Sequence, residues 1–431
     1  MKGEAAEYAL LGASHGAASA CSIDAARWAA IVAACMVMVA PTLANVAIVV
    51  MLVCPLASGQ VMARLRHAIT QPLVVGVAIV VVMVALGMLW SSVPWIDRLK
   101  SFYSWRKLWI IPTLLVLFGP PLWKQRMIAA YVAVCAAAAV VSFGLVAVEG
   151  HLPDSPFGPS GSLFRNHSTQ SMAFATGAFL SLWAASRPEL SKRVRLAALG
   201  ASALLALNIA FVTPGRSGYL ALAVMLLVTA AANLRGWRNK VLVAALGALF
   251  AGALAMSPLA RDRLDHGVQE WNSARTAQEY SSMGIRAVFY ENTVELIRER
   301  PWFGAGSGAF GEAYTAHVRG KYTDWRAMPS GDPHNQYLYV LAEQGIVGLI
   351  AFLSFIALAL ADRGDRGPTR LIAIGMLLAW CATSMLSSHF QTFSEGHLLA
   401  FFLAAMLARP VPGLDPGSPV PPTDPVAARS R

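Results

Sequence analysis

Runs of about twenty apolar residues alternate with short polar connections over most of the chain. Because a helix rises 1.5 Å per residue, about twenty apolar residues cross the hydrocarbon core of a bilayer. The pattern therefore predicts an all-α polytopic membrane protein with about twelve transmembrane helices. Two of them come from residues 28–57, which are interrupted at Pro41-Thr42 and Asn45. The others are expected near 72–90, 108–118, 127–148, 168–186, 196–213, 216–232, 241–257, 336–361, 371–388 and 396–409.

Composition agrees with this class. Hydrophobic residues make up 56% of the chain and charged residues 13%, with a mean hydropathy of +0.54. Soluble domains carry about 25% charged residues, so soluble fold classes are excluded. The net charge of +11 would suggest nucleic-acid binding in a soluble protein. Here basic residues concentrate in short connections, where they set the orientation of the spans.

Every second short connection is basic, which the positive-inside rule assigns to the cytoplasm together with both termini. The basic residues of these cytoplasmic connections are Arg64, Arg66, Lys124, Arg126, Arg187, Lys192, Arg193, Arg195, Arg235, Arg238, Lys240, Arg363, Arg366 and Arg370. One connection expected on the opposite side, residues 91–107, is also basic. Because it breaks the rule, it is a candidate site.

These boundaries divide the chain into five regions. Residues 1–27 form a cytoplasmic N-terminal segment, and 28–257 a transmembrane bundle of about nine spans. Residues 258–335 form a periplasmic segment, predicted to be helical because apolar residues between Ile285 and Ile297 recur at helical spacing. About three spans follow within 336–409, and the proline-rich residues 410–431 are predicted to be a disordered cytoplasmic tail.

The cysteines and acidic residues indicate no cofactor. Four of the five cysteines lie inside apolar runs, so neither a disulfide framework nor a metal cluster is implied. The external acidic residues form no Asp-x-Asp pair, and no metal is predicted. Gly304–Gly308 is glycine-rich, but it lacks the Lys-Ser/Thr ending and the preceding strand of a phosphate-binding loop. It is predicted to be a flexible turn.

A histidine stands at the start of the apolar run 336–361. Asp332 is expected to cap this helix and Pro333 to be its first residue, which would put His334 in the first turn. The positive end of a helix favours the neutral imidazole, which can act as a base. The alternative is a polar anchor at the membrane interface. Gly345 and Gly348 continue roughly the same face and would permit close helix packing.

Three further basic sites are candidates for phosphate binding. Arg216 begins a span after Thr213, a possible cap, and Pro214, and a helix N-terminus beside an arginine suits an anion. The alternative for Arg216 is that it snorkels to the interface. Arg286 shares a helical face with Tyr290, although taken alone it could be a solvated surface arginine. Arg106 and Lys107 lie in the exceptional basic connection, where interfacial anchoring is the alternative.

The spacing His334-Asn335, nine residues, Gly345, two residues, Gly348 resembles a motif of O-antigen ligases. The surrounding stretches resemble the wider O-antigen ligase/polymerase superfamily over roughly residues 200–355. They are Gly215-Arg216-Ser217-Gly218, Arg286, Arg300-Pro301-Trp302-Phe303-Gly304-Ala305-Gly306 and His334-Asn335-Gln336-Tyr337-Leu338.

This resemblance implies a membrane glycosyltransferase that transfers O-antigen polysaccharide from undecaprenyl diphosphate to lipid A–core. The reaction would take place at the periplasmic face of the bacterial inner membrane. His334 would be the general base, and Arg216 and Arg286 would bind the diphosphate without a metal. Direct displacement would invert the anomeric carbon. Arg106, Lys107 and Asn335 are further possible substrate-binding residues.

Three alternatives remain open. An O-antigen polymerase uses the same donor, and this chain shows one arginine-x₁₀-glycine spacing typical of polymerases, from Arg300 to Gly311. A protein O-oligosaccharyltransferase shares the histidine motif. A transporter or flippase for lipid-linked glycans is a different class, but such proteins place ionisable residues near the bilayer midplane. Here the spans carry almost no internal charge.

Overall fold

The computed structural model describes residues 20–149, 161–164, 166–213, 215–232, 237–258, 261, 265 and 282–415. Within these residues the protein is helical and contains no β-strand. The predicted all-α class is therefore confirmed for this part of the chain.

Seventeen helices are numbered here in chain order within the described ranges. They are α1 (20–36), α2 (Pro41–Val53), α3 (Val61–Ala68), α4 (Pro72–Trp90), α5 (Trp95–Ser104), α6 (Arg106–Trp109), α7 (Ile111–Leu117), α8 (Pro121–Glu149), α9 (His167–Ala185), α10 (Lys192–Phe211), α11 (Arg216–Ala232), α12 (Trp237–Met256), α13 (Ser282–Glu299), α14 (Phe310–Lys321), α15 (Gln336–Ala361), α16 (Arg370–Thr383) and α17 (Phe393–Leu407). Two short 3₁₀ turns, Cys54–Ser58 and Trp325–Ala327, complete the set.

Five helical segments among the described residues are long and apolar enough to cross a bilayer. They are Pro41–Ser58, Pro72–Trp90, Pro121–Val148, Lys192–Phe211 and Gln336–Ala361. Shorter apolar helices are Arg216–Ala232, Gly247–Met256, Arg370–Thr383 and Phe393–Leu407. These helices support a membrane location, and the count of about twelve spans stays a prediction.

Two sequence expectations need correction between α4 and α8. The span expected at 108–118 is two short helices, α6 and α7, which meet at Ile110. The basic connection 91–107 is not a simple loop, because it contains α5. Trp95, Ile96 and Leu99 of α5 are exposed, as expected for an amphipathic helix lying at a membrane interface.

The long helix α15 runs antiparallel to α4 and packs closely against it. A Cβ on Gly76 would lie 2.9 Å from the Cα of Phe355, so the two backbones approach where only glycine fits. Near the other end of the pair, Gly87 lies against Gln344. Helix α11 packs on both α9 and α16. These contacts fix which helix ends lie together.

One end of the bundle gathers connections that were expected to be cytoplasmic. Ion pairs there join Lys124 to Asp365 at 2.6 Å, Arg409 to Asp362 at 2.6 Å and Arg64 to Asp415 at 2.8 Å. Asp415 also pairs with Arg27 at 3.2 Å. The beginning of the proline-rich tail is therefore folded onto the bundle, whereas 416–431 lies outside the described residues. The regional boundaries themselves stay a prediction.

The opposite end, called here the His334 end, includes the starts of α9, α11, α15 and α17. Helices α13 and α14, from the segment expected to be periplasmic, lie against the start of α15. They form a small apolar cluster separate from the main core. Its buried members are Phe289, Phe310, Tyr314, Val318, Tyr339 and Ala342. This cluster positions α13 beside His334.

Candidate active site

Helix α15 begins at Gln336, and its cap is Asn335. The Asn335 side-chain oxygen accepts hydrogen bonds from the backbone N–H groups of Tyr337 at 3.0 Å and Leu338 at 3.1 Å. The expectation that Asp332 caps the helix and that Pro333 begins it is therefore wrong. Asp332 instead accepts a hydrogen bond from the backbone N–H of His334 at 2.8 Å, which closes a local turn before the helix.

His334 stands just outside the helix, in a left-handed backbone conformation with φ of 56°. This region is uncommon for residues other than glycine, although histidine, asparagine and aspartate enter it more readily. The half-buried ring stacks on Phe289 of α13, with centroids 5.9 Å apart and planes inclined by 14°. A strained backbone that is held by its surroundings is typical of functional sites.

The loop 384–392, between α16 and α17, holds in place the turn at residues 332–335, called here the His334 loop. Tyr290 donates hydrogen bonds to the carbonyls of Met385 at 2.8 Å and His334 at 3.2 Å. The Asn335 side chain donates to the same Met385 carbonyl at 3.2 Å. Both polar ends of the Asn335 side chain thus serve the fold, and its expected role in substrate binding stays a prediction.

Arg286 lies one helical turn before Tyr290 on α13. Burial raises the pKa of Tyr290, and the nearby Arg286 charge opposes that rise. The positive charge of Arg286 also lowers the pKa of His389 in the loop 384–392, whereas the negative charge of Asp332 raises it. Arg286 and the His334 loop therefore converge around His389.

Arg216 is the first residue of α11, whose start is pressed against α9. A Cβ on Gly215 or Gly218 would lie 2.0 Å or 2.4 Å from the Ser171 hydroxyl, so glycine is required at both positions. The Thr213 hydroxyl donates to the Asn208 side-chain oxygen at 3.2 Å, and its expected role as the cap of α11 stays a prediction. Pro214, expected as the first helical residue, lies outside the described residues.

Helix α9 connects the Arg216 region to the remainder of the site. Two residues before Ser171, the Thr169 hydroxyl donates to the Glu395 carboxylate at 2.8 Å. Glu395 lies in the first turn of α17, and its negative charge is close enough to raise the pKa of His389. The structure thus places Arg286 on the helix whose Tyr290 contacts His334, and it brings Arg216 to the same end of the bundle through α9.

Arg106 and Lys107 lie beside the start of α17. Lys107 is 1% exposed, and its ammonium donates to the backbone carbonyls of Gln391 and, at 3.3 Å, Thr392. The guanidinium of Arg106 lies over the rings of Tyr103 at 4.3 Å and Phe393 at 5.4 Å. Lys107 therefore holds the loop before α17, while Arg106 stays partly accessible.

The segment Gly304–Gly308 is not the flexible turn expected from the sequence. The N–H groups of Ala305 and Gly306 donate to the carbonyls of Ala342 at 2.9 Å and Glu343 at 2.8 Å. Two residues after Glu343, Gly345 interrupts α15 with φ of 65° and ψ of −165°. The chain before Gly304 enters this break, because the N–H of Ile346 donates to the Pro301 carbonyl at 2.8 Å. Gly345 therefore serves the break rather than close helix packing.

Two polar residues at this site escaped sequence analysis. Glu343 is buried, and its carboxylate accepts hydrogen bonds from the Tyr339 hydroxyl at 2.8 Å, the Gly308 N–H at 2.9 Å and the Ser101 hydroxyl at 3.1 Å. It ties α5 and the glycine segment to α15. His389 is also buried, in the connection between the last two apolar helices. The sequence pointed to these two residues only by their positions: Glu343 lies inside an apolar run, and His389 lies beside one.

The combination of a held histidine and a neighbouring arginine suits chemistry on an anionic leaving group, since arginine binds phosphate through a planar fork. Within the described ranges, no group of three or more His, Cys, Asp or Glu residues is placed to hold a metal ion.

Comparison with known proteins identifies the shared part of the chain. Residues 201–353 match the family described as O-antigen ligase, a family of glycosyltransferase-like ligases and polymerases. The match includes Arg216, Arg286, His334 and both motif glycines. An uncharacterized protein of Haemophilus influenzae is 36% identical over 76 residues, which are 18% of this chain and 19% of that protein. The alignment thus spans about a fifth of that relative's length. Residues 201–353, about a third of the chain, thus carry the similarity to the O-antigen ligase family.

Proposed function

We propose that this protein transfers O-antigen polysaccharide from undecaprenyl diphosphate to lipid A–core. The reaction would take place at the periplasmic face of the bacterial inner membrane, without a metal. The observation that carries the proposal is the His334 loop, strained in its backbone and held between Phe289, Tyr290 and the loop 384–392. Arg286, one helical turn before Tyr290, adds positive charge beside Tyr290 and His389.

In the proposed reaction, the acceptor hydroxyl oxygen attacks the anomeric carbon of the donor sugar. A carbon–oxygen bond forms to the acceptor, and the bond from that carbon to the diphosphate oxygen breaks. The electron pair leaves with the diphosphate, and the hydroxyl proton passes to the His334 imidazole. General-base help of this kind is worth roughly 10²–10⁴-fold in rate. A single displacement inverts the anomeric configuration.

Arg216 and Arg286 are proposed to bind the diphosphate and to stabilise its growing negative charge. The position of Arg216 at the start of α11 supports this role, because the unpaired N–H groups of a helix N-terminus also favour an anion. Both arginines can bind phosphate oxygens through two parallel hydrogen bonds. They would carry out the charge stabilisation that a metal performs in other glycosyl transfers.

An apolar groove between α11 and α12 supports a donor with a lipid tail. The groove has a volume of about 840 Å³ and begins at Tyr219, one helical turn into the bundle from Arg216. Small residues, including Ala223 and Gly247, leave the space between the two helices open. An isoprenoid chain in this groove would bring its diphosphate to the Arg216 end.

The test of the proposal is a transfer assay with the His334→Asn and His334→Ala variants in proteoliposomes. Asparagine tolerates the left-handed backbone but cannot act as a base, so it removes the chemistry while keeping the loop. We expect the melting temperature of His334→Asn to match that of the wild type while transfer falls at least 10²-fold. A transfer rate near that of the wild type would remove His334 from the base role.

A further inference from the structure

His389 is a second histidine at this site, and the proposed chemistry of base and arginines does not use it. It is 3% exposed, in the loop 384–392 directly after Ser388. The Ser388 hydroxyl donates to the Asp332 carboxylate at 2.6 Å, so this part of the loop is fixed to the His334 loop. Its position is therefore set by the same contacts that hold His334.

The His389 imidazole lacks hydrogen-bond partners at both nitrogens among the described residues. A buried polar group without a partner destabilises the fold, so such groups are rare in folded proteins. By contrast, His397 on α17 is also buried, but its Nδ1 lies 2.7 Å from the Phe393 carbonyl. His389 thus retains hydrogen-bonding capacity at the site where a phosphate group would lie.

Charged groups face His389 from three elements. Arg286 approaches from α13, Asp332 from the His334 loop and Glu395 from α17. Burial lowers the pKa of the His389 imidazole. The negative charges of Glu395 and Asp332 oppose this shift, and the positive charge of Arg286 adds to it. Without a bound anion the imidazole is therefore mainly neutral near pH 7. An anion that neutralised Arg286 would remove one of the two effects that disfavour protonation.

We propose that His389 belongs to the donor diphosphate site, where it takes up a proton with the bound diphosphate and donates a hydrogen bond to a phosphate oxygen. This inference rests on the proposed function, because it assumes that Arg286 binds the diphosphate. The proton comes from solvent during binding, and His389 holds it while the leaving group gains negative charge. His334 remains the acceptor of the hydroxyl proton.

The test is donor binding at several pH values, measured by calorimetry on the full-length protein in nanodiscs. The probe is a short prenyl diphosphate carrying one sugar, a diester whose phosphates do not titrate between about pH 6 and pH 8. Buffers with different ionisation enthalpies report the number of protons taken up. We expect proton uptake in the wild type and up to about tenfold weaker binding for each pH unit of increase.

His389→Gln and His389→Asn keep a polar side chain but cannot take up the proton. In these variants we expect the affinity for the probe to depend less on pH. The number of protons taken up on binding should fall correspondingly. His397→Gln is the matched control, because it replaces a buried histidine that already has a hydrogen-bond partner. Its pH dependence should match that of the wild type.

The possible outcomes separate this inference from the proposed function. Probe binding without proton uptake in the wild type would overturn the role of His389 and leave the proposed function standing. The same would follow if a folded His389→Gln or His389→Asn protein kept the full pH dependence. Failure of the wild type to bind the probe at any pH would contradict the proposed function itself.

Discussion

His334 owes its position to two residues that are distant in the chain and to one that is close by. Phe289 stacks on its ring, Tyr290 binds its carbonyl, and Asp332 binds its N–H group. The side chain therefore projects from a backbone conformation that few residues other than glycine adopt. Such preorganisation suits a base that must meet an acceptor hydroxyl at one fixed place.

Arg286→Lys tests the proposed diphosphate contact at the residue scale. Lysine keeps the charge but loses the planar fork that binds two phosphate oxygens at once. A hydrogen bond to a charged group contributes about 1.5–3 kcal/mol, so we expect the donor Kd to rise about 10–100-fold. The measurement is equilibrium binding of the lipid-linked donor to purified protein.

Arg326→Lys is the matched control for Arg286→Lys. Arg326 lies in the same segment between the apolar helices and pairs with Asp324 at 2.7 Å. This substitution should leave donor binding unchanged. Equal affinities for the wild type and Arg286→Lys would show that Arg286 does not bind the diphosphate through its fork.

The motif residues could be found from sequence, but several of their contacts could not. His334 stood out because a polar residue beside an apolar run needs a reason, and Arg286 stood out through the resemblance to the O-antigen ligase/polymerase superfamily. The partners Phe289 and His389 did not, because an aromatic residue and a loop histidine have ordinary structural roles. The correct cap, Asn335, differed from the expected Asp332 because the two side chains have similar capping ability. Only the structure shows which of them faces the free N–H groups.

The break in α15 is the main feature at the scale of single elements. Gly345 interrupts the helix. The backbone N–H groups of Ala305 and Gly306 donate to the carbonyls of the two residues Ala342 and Glu343, just before the break. The N–H group of Gly308 donates to the Glu343 carboxylate. Gly345, the first glycine of the motif, therefore lies at a junction between α15 and the segment that carries α13. This junction fixes the distance between α13 and the start of α15, and so between Arg286 and His334.

Gly345→Ala should disrupt this junction. Alanine is disfavoured at φ of 65°, and its Cβ would lie 2.3 Å from the Trp302 carbonyl group. We expect the free energy of unfolding to fall by about 2 kcal/mol or more, measured as a lower melting temperature, with a loss of transfer activity.

Gly320→Ala provides the comparison for this element. Gly320 lies inside α14, and nothing lies within 4 Å of an added Cβ. Alanine there should be neutral or stabilise the helix by up to about 1 kcal/mol. If both substitutions had the same effect on stability, the break at Gly345 would not hold the junction.

Helical periodicity predicted the long elements well, and their breaks poorly. Helices α4, α11 and α15 match their expected boundaries closely, because uninterrupted apolar runs define them. Residues 108–118 do not form one continuous helix, and hydropathy gives no information about where a helix bends. Gly345 was assigned to helix packing because the partner of its break, Pro301–Gly308, is distant in sequence.

At the scale of the whole molecule, the helix ends divide into two sets with different charge arrangements. One end pairs its cations with Asp362, Asp365 and Asp415. The His334 end brings together Arg286, His334 and the starts of α11 and α17. The groove between α11 and α12 leads from the bundle toward this end. This arrangement would let a lipid-linked donor present its diphosphate without leaving the bilayer.

Ala223→Trp tests the groove as the site of the donor lipid. A tryptophan at this exposed groove position would occupy space that the isoprenoid chain needs. We expect the KM for the long-chain donor to rise several-fold. Each CH₂ group that loses its apolar contact weakens binding by about 0.8 kcal/mol, so the loss of one or two groups is enough. Steady-state transfer in proteoliposomes is the measurement.

Two comparisons make this result specific. Val82→Trp places the same side chain on an exposed face of α4, away from the groove, and should leave the KM unchanged. A short-chain donor should be transferred equally well by wild type and Ala223→Trp. An equal rise in KM for both donors would place the isoprenoid elsewhere.

The identity of the acceptor distinguishes the proposed ligase from the polymerase and the protein glycosyltransferase. Purified protein in proteoliposomes receives the lipid-linked O-antigen donor in EDTA, with lipid A–core, with a pilin-like protein, or with no further acceptor. We predict that polysaccharide appears on lipid A–core alone, and that His334→Asn abolishes this product. Extension of the donor in the absence of an acceptor, transfer to the protein, or a strict requirement for a divalent metal would contradict the account.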